Sequence, residues 1–295
     1  MHGVRTVRVK ARGVEFACLE CGDTDGPLAL VLHGFPDTPR SMTGLLEALA
    51  AAGFHAAAPW LRGYAPSSLA PDASYHAGST AADANALHEA LGGDERAVLV
   101  GHDWGAIATY PALCVAPDRW RRAATMAVPP MLSMAHASGS LDQLEASWYI
   151  WLFLSPLAES ALGAHGLELV ERLWSAWSPG LDAAAAAPYI AAVKASLTEP
   201  ANQAAAIAYY RATFAAPPND VVAAEAHAAQ LNTPSVPVRY LHGEEDGCIL
   251  LEAIGDPLAF LAPGSSFVVV EGAGHFLQLE RPEVVNASVV EFLTR

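Results

Sequence analysis

The stretch Ala97-Val98-Leu99-Val100-Gly101-His102-Asp103-Trp104-Gly105 decides how this chain is read. Its first four residues form a short apolar run, the pattern of a strand buried on both faces. An apolar helical pattern follows, to about Val115. Between the two, glycines stand on either side of a central aspartate. Small residues there permit a sharp, strained turn, which lifts the Asp103 side chain above the C-terminal end of a sheet. Strand, glycine-flanked turn and helix make up the nucleophile elbow, usually written G-x-S-x-G, with aspartate in the serine position. No G-x-S-x-G occurs anywhere in the chain. The plainer alternative is that Asp103 only caps the following helix.

Working outward, buried strands and helices alternate. Arg5–Val9 and Val14–Leu19 alternate polar and apolar residues around Arg12-Gly13, the pattern of a hairpin. Leu28–Leu32 reads as a buried strand ending in His33-Gly34. Thr38 and Pro39 open a helix to about Ala52, as cap and first residue. Phe54–Ala58 gives a strand, Arg62–Ser74 a loop rich in Pro, Gly and Ser, Ala77–Leu91 a helix, and Arg122–Val128 another strand. From Met131 to Asn232 no strand pattern appears. That stretch holds helical, alanine-rich segments and Trp148, Trp151, Trp174 and Trp177. Strand and helix resume at Val236–His242, Phe267–Val270 and Pro282–Leu293. The alternation predicts an α/β fold with a mostly parallel, eight-stranded sheet flanked by helices. Residues 1–130 and 233–295 form its two parts, with 131–232 an inserted helical cap.

Composition narrows the function classes. The chain has 295 residues, enough for one large domain or a domain with an insertion. It is 53% apolar and 16% charged, which excludes a disordered chain. A net charge of −15 disfavours nucleic acid and anionic membranes as partners. No apolar run approaches the roughly 20 residues of a membrane span. The segment Met1–Arg5 is polar and shows no apolar signal core, so a soluble, cytoplasmic protein is expected. The four cysteines are too scattered for a disulfide framework. Cys18-Leu-Glu-Cys21 lacks the second pair a zinc ribbon needs, so a structural role is expected for it.

An aspartate nucleophile restricts the chemistry. A carboxyl with a reference pKa of about 3.9 needs no base to become an anion. Its attack on an acyl carbonyl would give an anhydride, whereas attack on an sp³ carbon gives an alkyl ester. The substrate is then an alkyl electrophile with a leaving oxygen or halide. Hydrolysis of the ester needs a base, and His275 in Gly272-Ala-Gly-His275-Phe276 follows the last strand. Glu244, Glu245 and Asp246 follow the Val236–His242 strand. Asp246, short and nearest the next apolar run, suits the acid that orients His275. Nucleophile, acid and histidine then occur in the order expected of this fold. Backbone N–H groups of Phe35 and Trp104 are expected to form the oxyanion hole. An alkoxide leaves poorly without an acid, and tyrosine, protonated to a pH of about 10, can supply one. Tyr149 and Tyr210 are the cap tyrosines in aromatic settings suited to that role.

With these residues in place, the sequence resembles the α/β-hydrolase-fold epoxide hydrolases. His33-Gly-Phe-Pro36-Asp37 resembles the family's H-G-x-P motif, and Gly101-His-Asp-Trp-Gly105 its nucleophile motif. Tyr149, seven residues before Pro156, is similar in placement to the first ring-opening tyrosine. Tyr209-Tyr210-Arg211 resembles the segment around the second, with Ala208-Tyr209 where the family often has Asn-Trp. The resemblance spans nearly the whole chain. It implies attack of Asp103 on an epoxide whose oxygen is held by Tyr149 and Tyr210, then hydrolysis by His275 with Asp246, giving a vicinal diol. It implies no cofactor, and the partners are the epoxide and water, with a homodimer as an option. His33, Pro36, His102, Trp148 and Phe276 are expected to line the substrate site.

Two rivals remain. Haloalkane dehalogenases share the fold and the aspartate, and Trp104 resembles their halide donor. They usually carry a second side-chain donor after His-Gly, where this chain has Phe35. A non-catalytic small-molecule binding protein of the same fold would lack triad members, and all three are present.

Overall fold

The computed structural model describes residues 3–134 and 139–295. Residues 135–138, inside the expected insertion, and the first two residues of the polar N-terminal segment lie outside the described residues. A hairpin of β1 (Arg5–Ala11) and β2 (Val14–Cys21) leads the chain, in register Ala11 to Val14. Then come β3 (Leu28–Leu32), α1 (Thr43–Ala51), β4 (His55–Pro59), α2 (Ala77–Ala90), β5 (Val98–His102), α3 (Trp104–Val115) and β6 (Arg122–Met126). The strands resume with β7 (Val238–Gly243) and β8 (Ser266–Val270).

These strands form one eight-stranded sheet in the order β1-β2-β4-β3-β5-β6-β7-β8. The pairs of β1 with β2 and of β2 with β4 are antiparallel, and the others are parallel. Every residue of β3, β4 and β5 is buried, as the unbroken apolar runs require of strands covered on both faces. From β3 the chain goes first to β4 on one side and later to β5 on the other. The crevice at the C-terminal ends of β3 and β5 is therefore a topological switch point, where open α/β sheets bind ligands.

Two boundaries shift for local reasons. Thr38 and Pro39 do begin a helical segment, but Pro39–Met42 is a tight 3-10 turn and α1 starts only at Thr43. β6 stops at Met126 because Ala127 takes a φ of 66°, which ends the extended run and leaves Val128 outside the sheet.

Between β6 and β7, the described residues hold helices and no strand. They are α4 (Leu141–Ala146), α5 (Trp148–Leu154), α6 (Ala158–Gly163), α7 (Glu168–Trp177), α8 (Ala183–Ser196), α9 (Pro200–Thr213) and α10 (Val221–Ala228). α5, α6, α7, α8 and α9 pack on one another, whereas α10 packs on α2 and α3 beside the sheet. The chain closes with α11 (Leu277–Glu280) and α12 (Pro282–Thr294), the latter against α1.

A buried ion pair fixes α9 over the sheet. Arg62, in the loop after β4, is fully buried and clasps Asp83 of α2, with Nε and Nη2 at 2.6 and 2.7 Å from the two carboxylate oxygens. The same loop receives α9. The Tyr209 hydroxyl donates to the Arg62 carbonyl at 2.9 Å, and Asn202 Nδ2 donates to the Gly63 carbonyl at 2.6 Å. Removing Asp83 leaves the buried Arg62 with only the partly exposed Asp72 carboxylate, at 3.2 Å, and the Ser74 carbonyl. Asp83→Ala should therefore lower the unfolding free energy by about 3–5 kcal/mol, measured by urea titration. An unchanged midpoint would mean that Arg62 escapes to solvent and carries no such constraint.

Candidate active site

Asp103 stands where β5 hands over to α3, with φ 53° and ψ −118°. A positive φ of this kind costs a non-glycine residue roughly 1–3 kcal/mol. Glycines make the position possible. A Cβ on Gly105 would lie 2.3 Å from the Leu32 carbonyl oxygen, and one on Gly34 would lie 2.1 Å from Asp103 Oδ1. The start of α3 and the loop after β3 can approach this closely only as bare backbone. The Asp103 side chain makes no capping bond to α3, which rules out the plain helix-cap alternative. Its Oδ1 accepts the Phe35 backbone N–H at 2.7 Å. Trp104 is the first residue of α3, immediately after Asp103.

His275 follows β8 and Asp246 follows β7, neighbouring strands that deliver the two side chains side by side. His275 Nδ1 lies 3.0 and 3.2 Å from the two Asp246 oxygens. Asp246 Oδ1 also accepts the N–H groups of Cys248 at 2.8 Å and Ile249 at 3.0 Å. Glu244 and Glu245 are exposed, so the loop turns inward Asp246 alone of the three candidate acids. His275 Nε2 faces Asp103 Oδ2 at 3.6 Å, beyond a direct hydrogen bond.

Burial alone would make the His275 imidazolium unfavourable. The Asp246 carboxylate outweighs it, with help from Cys248 and then Asp103, and holds the imidazole well above its usual range. For Asp246, burial favours the neutral acid, but the facing His275 prevails and holds the carboxyl below its usual value. Both shifts favour a carboxylate facing an imidazolium, with Nδ1–H given to Asp246 and Nε2 turned to Asp103.

Tyr149 on α5 and Tyr210 on α9 share one cavity with Asp103, their rings 5.7 Å apart. Tyr210 leans on Phe35, Phe153 and Trp104, at 5.3, 5.0 and 5.0 Å. Its neighbour Tyr209 points away to the Arg62 carbonyl, which settles which of the two faces the site. Burial, aided by nearby Asp103, raises both Tyr149 and Tyr210 well above the usual phenol value, so both remain protonated. The cavity measures about 180 Å³, and its walls are mostly apolar, including Ile107, Val128, Met131, Ile150 and Phe214.

The residues expected to line the substrate site have other contacts. His33, Pro36, His102, Trp148 and Phe276 all lie off the cavity wall. His33 Nδ1 donates to the Gly34 carbonyl and Nε2 accepts the Leu61 N–H, so this ring supports the loop backbone. The Pro36 carbonyl accepts the Trp174 indole N–H at 2.7 Å. His102 Nε2 donates to the His275 carbonyl at 2.9 Å. Phe276 is stacked at 3.8 Å on Trp174 beneath the site. Trp148 is 46% exposed on the outer face of α5.

The sequence reading missed Gln143 and Cys248, both of which line the cavity. The Cys248 thiol lies 3.3 Å from the Tyr149 hydroxyl. Neither belongs to a motif, and only their approach in space marks them. Ligand-type atoms of Asp246, Cys248 and His275 come within 4.8 Å of one another. The hydrogen bonds just described already account for that cluster. Among the described residues no helix is long and apolar enough to cross a membrane.

Comparison with known proteins agrees with this geometry. Residues 27–282 match the family of the alpha/beta hydrolase fold. Epoxide hydrolase A of Mycobacterium tuberculosis is 31% identical, over 97% of this chain and 96% of its own. An epoxide hydrolase of Caballeronia sordidicola is 40% identical over 43% of this chain and 38% of its own. The crystal structure of Epoxide Hydrolase A from Mycobacterium thermoresistibile superposes with a TM-score of 0.78 at 26% identity, covering 99% of this chain and 98% of that one. A Bacillus megaterium epoxide hydrolase in complex with an inhibitor shares the fold, with a TM-score of 0.81 at 23% identity over 98% of this chain and 100% of that one. An elbow aspartate with a histidine–aspartate pair beside it, on this sheet and with this kinship, places the chain among the epoxide hydrolases of the α/β-hydrolase fold.

Proposed function

We propose that the protein hydrolyses an apolar epoxide to a vicinal diol through an ester of Asp103. The observation that carries this reading is the confinement of one carboxylate and two protonated phenols in a single, mostly apolar cavity. Asp103 Oδ2 attacks a ring carbon while the carbon–oxygen bond breaks. The departing oxygen takes a proton from Tyr149 or Tyr210 and a hydrogen bond from the other. The His275 imidazolium then returns a proton to the phenolate, and the neutral imidazole removes a proton from water, whose hydroxide attacks the Asp103 carboxyl carbon. The Phe35 N–H, already on Oδ1, meets the oxyanion that forms there, with the Trp104 N–H as its expected partner. Collapse expels the diol oxygen, which takes the proton left on the Asp103 carboxyl, so that the carboxylate, the imidazolium and the phenol are all restored.

Charge links the two steps. With Asp103 ionised, its anion helps hold the proton on His275. Ester formation cancels that anion, so the imidazole gives up its proton more readily when a base is required. A haloalkane dehalogenase reading draws on Trp104, whose indole lines the cavity. It lacks the second side-chain donor, since Phe35 offers only its backbone N–H, which is engaged by Asp103 Oδ1.

Diol release from small and bulky epoxides should appear with the wild type and vanish in Asp103→Ala. Halide release from haloalkanes without diol formation would replace this reading by the dehalogenase one. Tyr149→Phe and Tyr210→Phe should each slow ester formation, and the double variant should lose roughly 10²–10⁴-fold, the usual worth of general acid catalysis. In His275→Gln the ester should persist, visible by intact-protein mass spectrometry as a gain of one substrate mass. Recovery of unmodified protein beside full diol yield would remove His275 from the second step.

The electrostatics can be tested apart from turnover by following the His275 imidazole through a pH titration by NMR. Removing an anion beside an imidazolium lowers its pKa. The midpoint should therefore fall from wild type to Asp103→Asn, and fall further in Asp246→Asn. Coincident midpoints would show that neither carboxylate holds that proton.

A further inference from the structure

Gln143 is buried on α4 and spends its whole amide on one contact region. Nε2 donates to the Cys248 carbonyl and to Ser147 Oγ, each at 2.9 Å. Oε1 accepts the Leu250 N–H at 2.8 Å. The amide thus pairs with residues 248 and 250 as an adjacent strand would. A carbonyl on one side and an N–H on the other fix which end of the amide is which.

The segment it grips is the loop that carries Asp246. Cys248 and Ile249 supply the two N–H groups that hold Asp246 Oδ1. The thiol of the same Cys248 meets the Tyr149 hydroxyl at 3.3 Å. One side chain therefore touches both the support of His275 and the neighbour of a ring-opening phenol. Ser147, its third partner, directly precedes α5, the helix on which Tyr149 sits.

We propose that Gln143 is a positioning residue, which clamps α4 to the acid loop and thereby fixes Tyr149 over Asp103. The inference rests on the epoxide reading of this site. It assigns Gln143 no contact with the reacting atoms. Both ends of its amide are engaged, and its effect passes through the groups it holds.

Single-turnover ester formation, followed by rapid quench, tests this in wild type, Gln143→Leu, Tyr149→Phe and the double variant. Leucine fills similar space and leaves the Cys248 carbonyl and the Leu250 N–H without their partner. We expect Gln143→Leu to slow ester formation roughly ten- to hundredfold, the scale of a misplaced reacting group. In the Tyr149→Phe background the same change should cost less than about threefold, because the hydroxyl it positions is already gone. Equal losses in both backgrounds, or no loss in either, would overturn the clamp. Gln143→Glu gives a second readout if the leucine variant does not fold. Its protonated carboxyl offers one donor and one acceptor, the two the loop requires, so its rate relative to wild type should rise as pH falls. A ratio that is flat with pH counts against the proposal. Failure of the wild type to form any ester sinks the epoxide reading and this inference with it. Ester formation in wild type that Gln143→Leu leaves unchanged sinks the clamp alone.

Discussion

Everything in the site depends on a close approach of three backbone segments at the switch point of the sheet. The end of β3, the end of β5 and the first turn of α3 meet within distances that only residues without a Cβ tolerate. That approach puts Asp103 at a positive φ and brings the Phe35 N–H onto its carboxylate. The strain is local, and the parallel ladder on either side supports it, with β5 paired to β3 and β6 along its length. A rigid sheet can hold a side chain in a conformation that a loop would relax.

The helices between β6 and β7 are joined to this frame through backbone as well as side chains. The Trp177 carbonyl, at the end of α7, accepts the N–H of His275 at 2.9 Å and that of Gly247 at 3.1 Å. One oxygen therefore ties the histidine loop to the acid loop. Ser178 Oγ accepts the Phe276 N–H next to it. Trp177 also packs its ring against both Tyr149 and His275, at 4.8 and 5.0 Å. These helices thus help hold His275 and Asp246 side by side, besides lining the cavity. Displacing α7 would disturb His275 together with Tyr149.

What could be read from the sequence follows from how local each signal is. Buried parallel strands appear as unbroken apolar runs, so β3, β5 and β7 were visible within a residue or two. The elbow was visible because steric need writes glycines next to Asp103. Asp246 could be chosen over Glu244 and Glu245, and the loop does bury it alone. The cavity wall was not visible, because helices of the insertion contribute one or two side chains each, and no spacing links Ile107 to Phe214. Trp148 illustrates the limit. Adjacent residues on a helix diverge by about 100°, so placing Tyr149 inward sends Trp148 outward. His33, His102 and Phe276 flank motif residues, yet their polar atoms and faces are consumed by the loops that hold those motifs.

The histidines at the site show how the fold distributes charge. His33 and His102 are as deeply buried as His275. Burial drives His33 down to about 3 and His102 down to about 4, so both are neutral supports at any physiological pH. Neither has a carboxylate within hydrogen-bond distance. The nearest to His102 is Asp37, at 3.9 Å, and burial pushes that acid up to about 7 despite its bonds from Ser41 and Thr38. Of the three, His275 alone is given a carboxylate on Nδ1, and its imidazole alone is held above the usual range. A low-dielectric pocket can sustain one such pair when the ions touch and their remaining sites are bonded. Asp246 satisfies that condition through the amides of Cys248 and Ile249. Restricting the mobile proton to one ring makes the imidazole respond to the charge on Asp103, which an evenly protonated cluster of three histidines could not do.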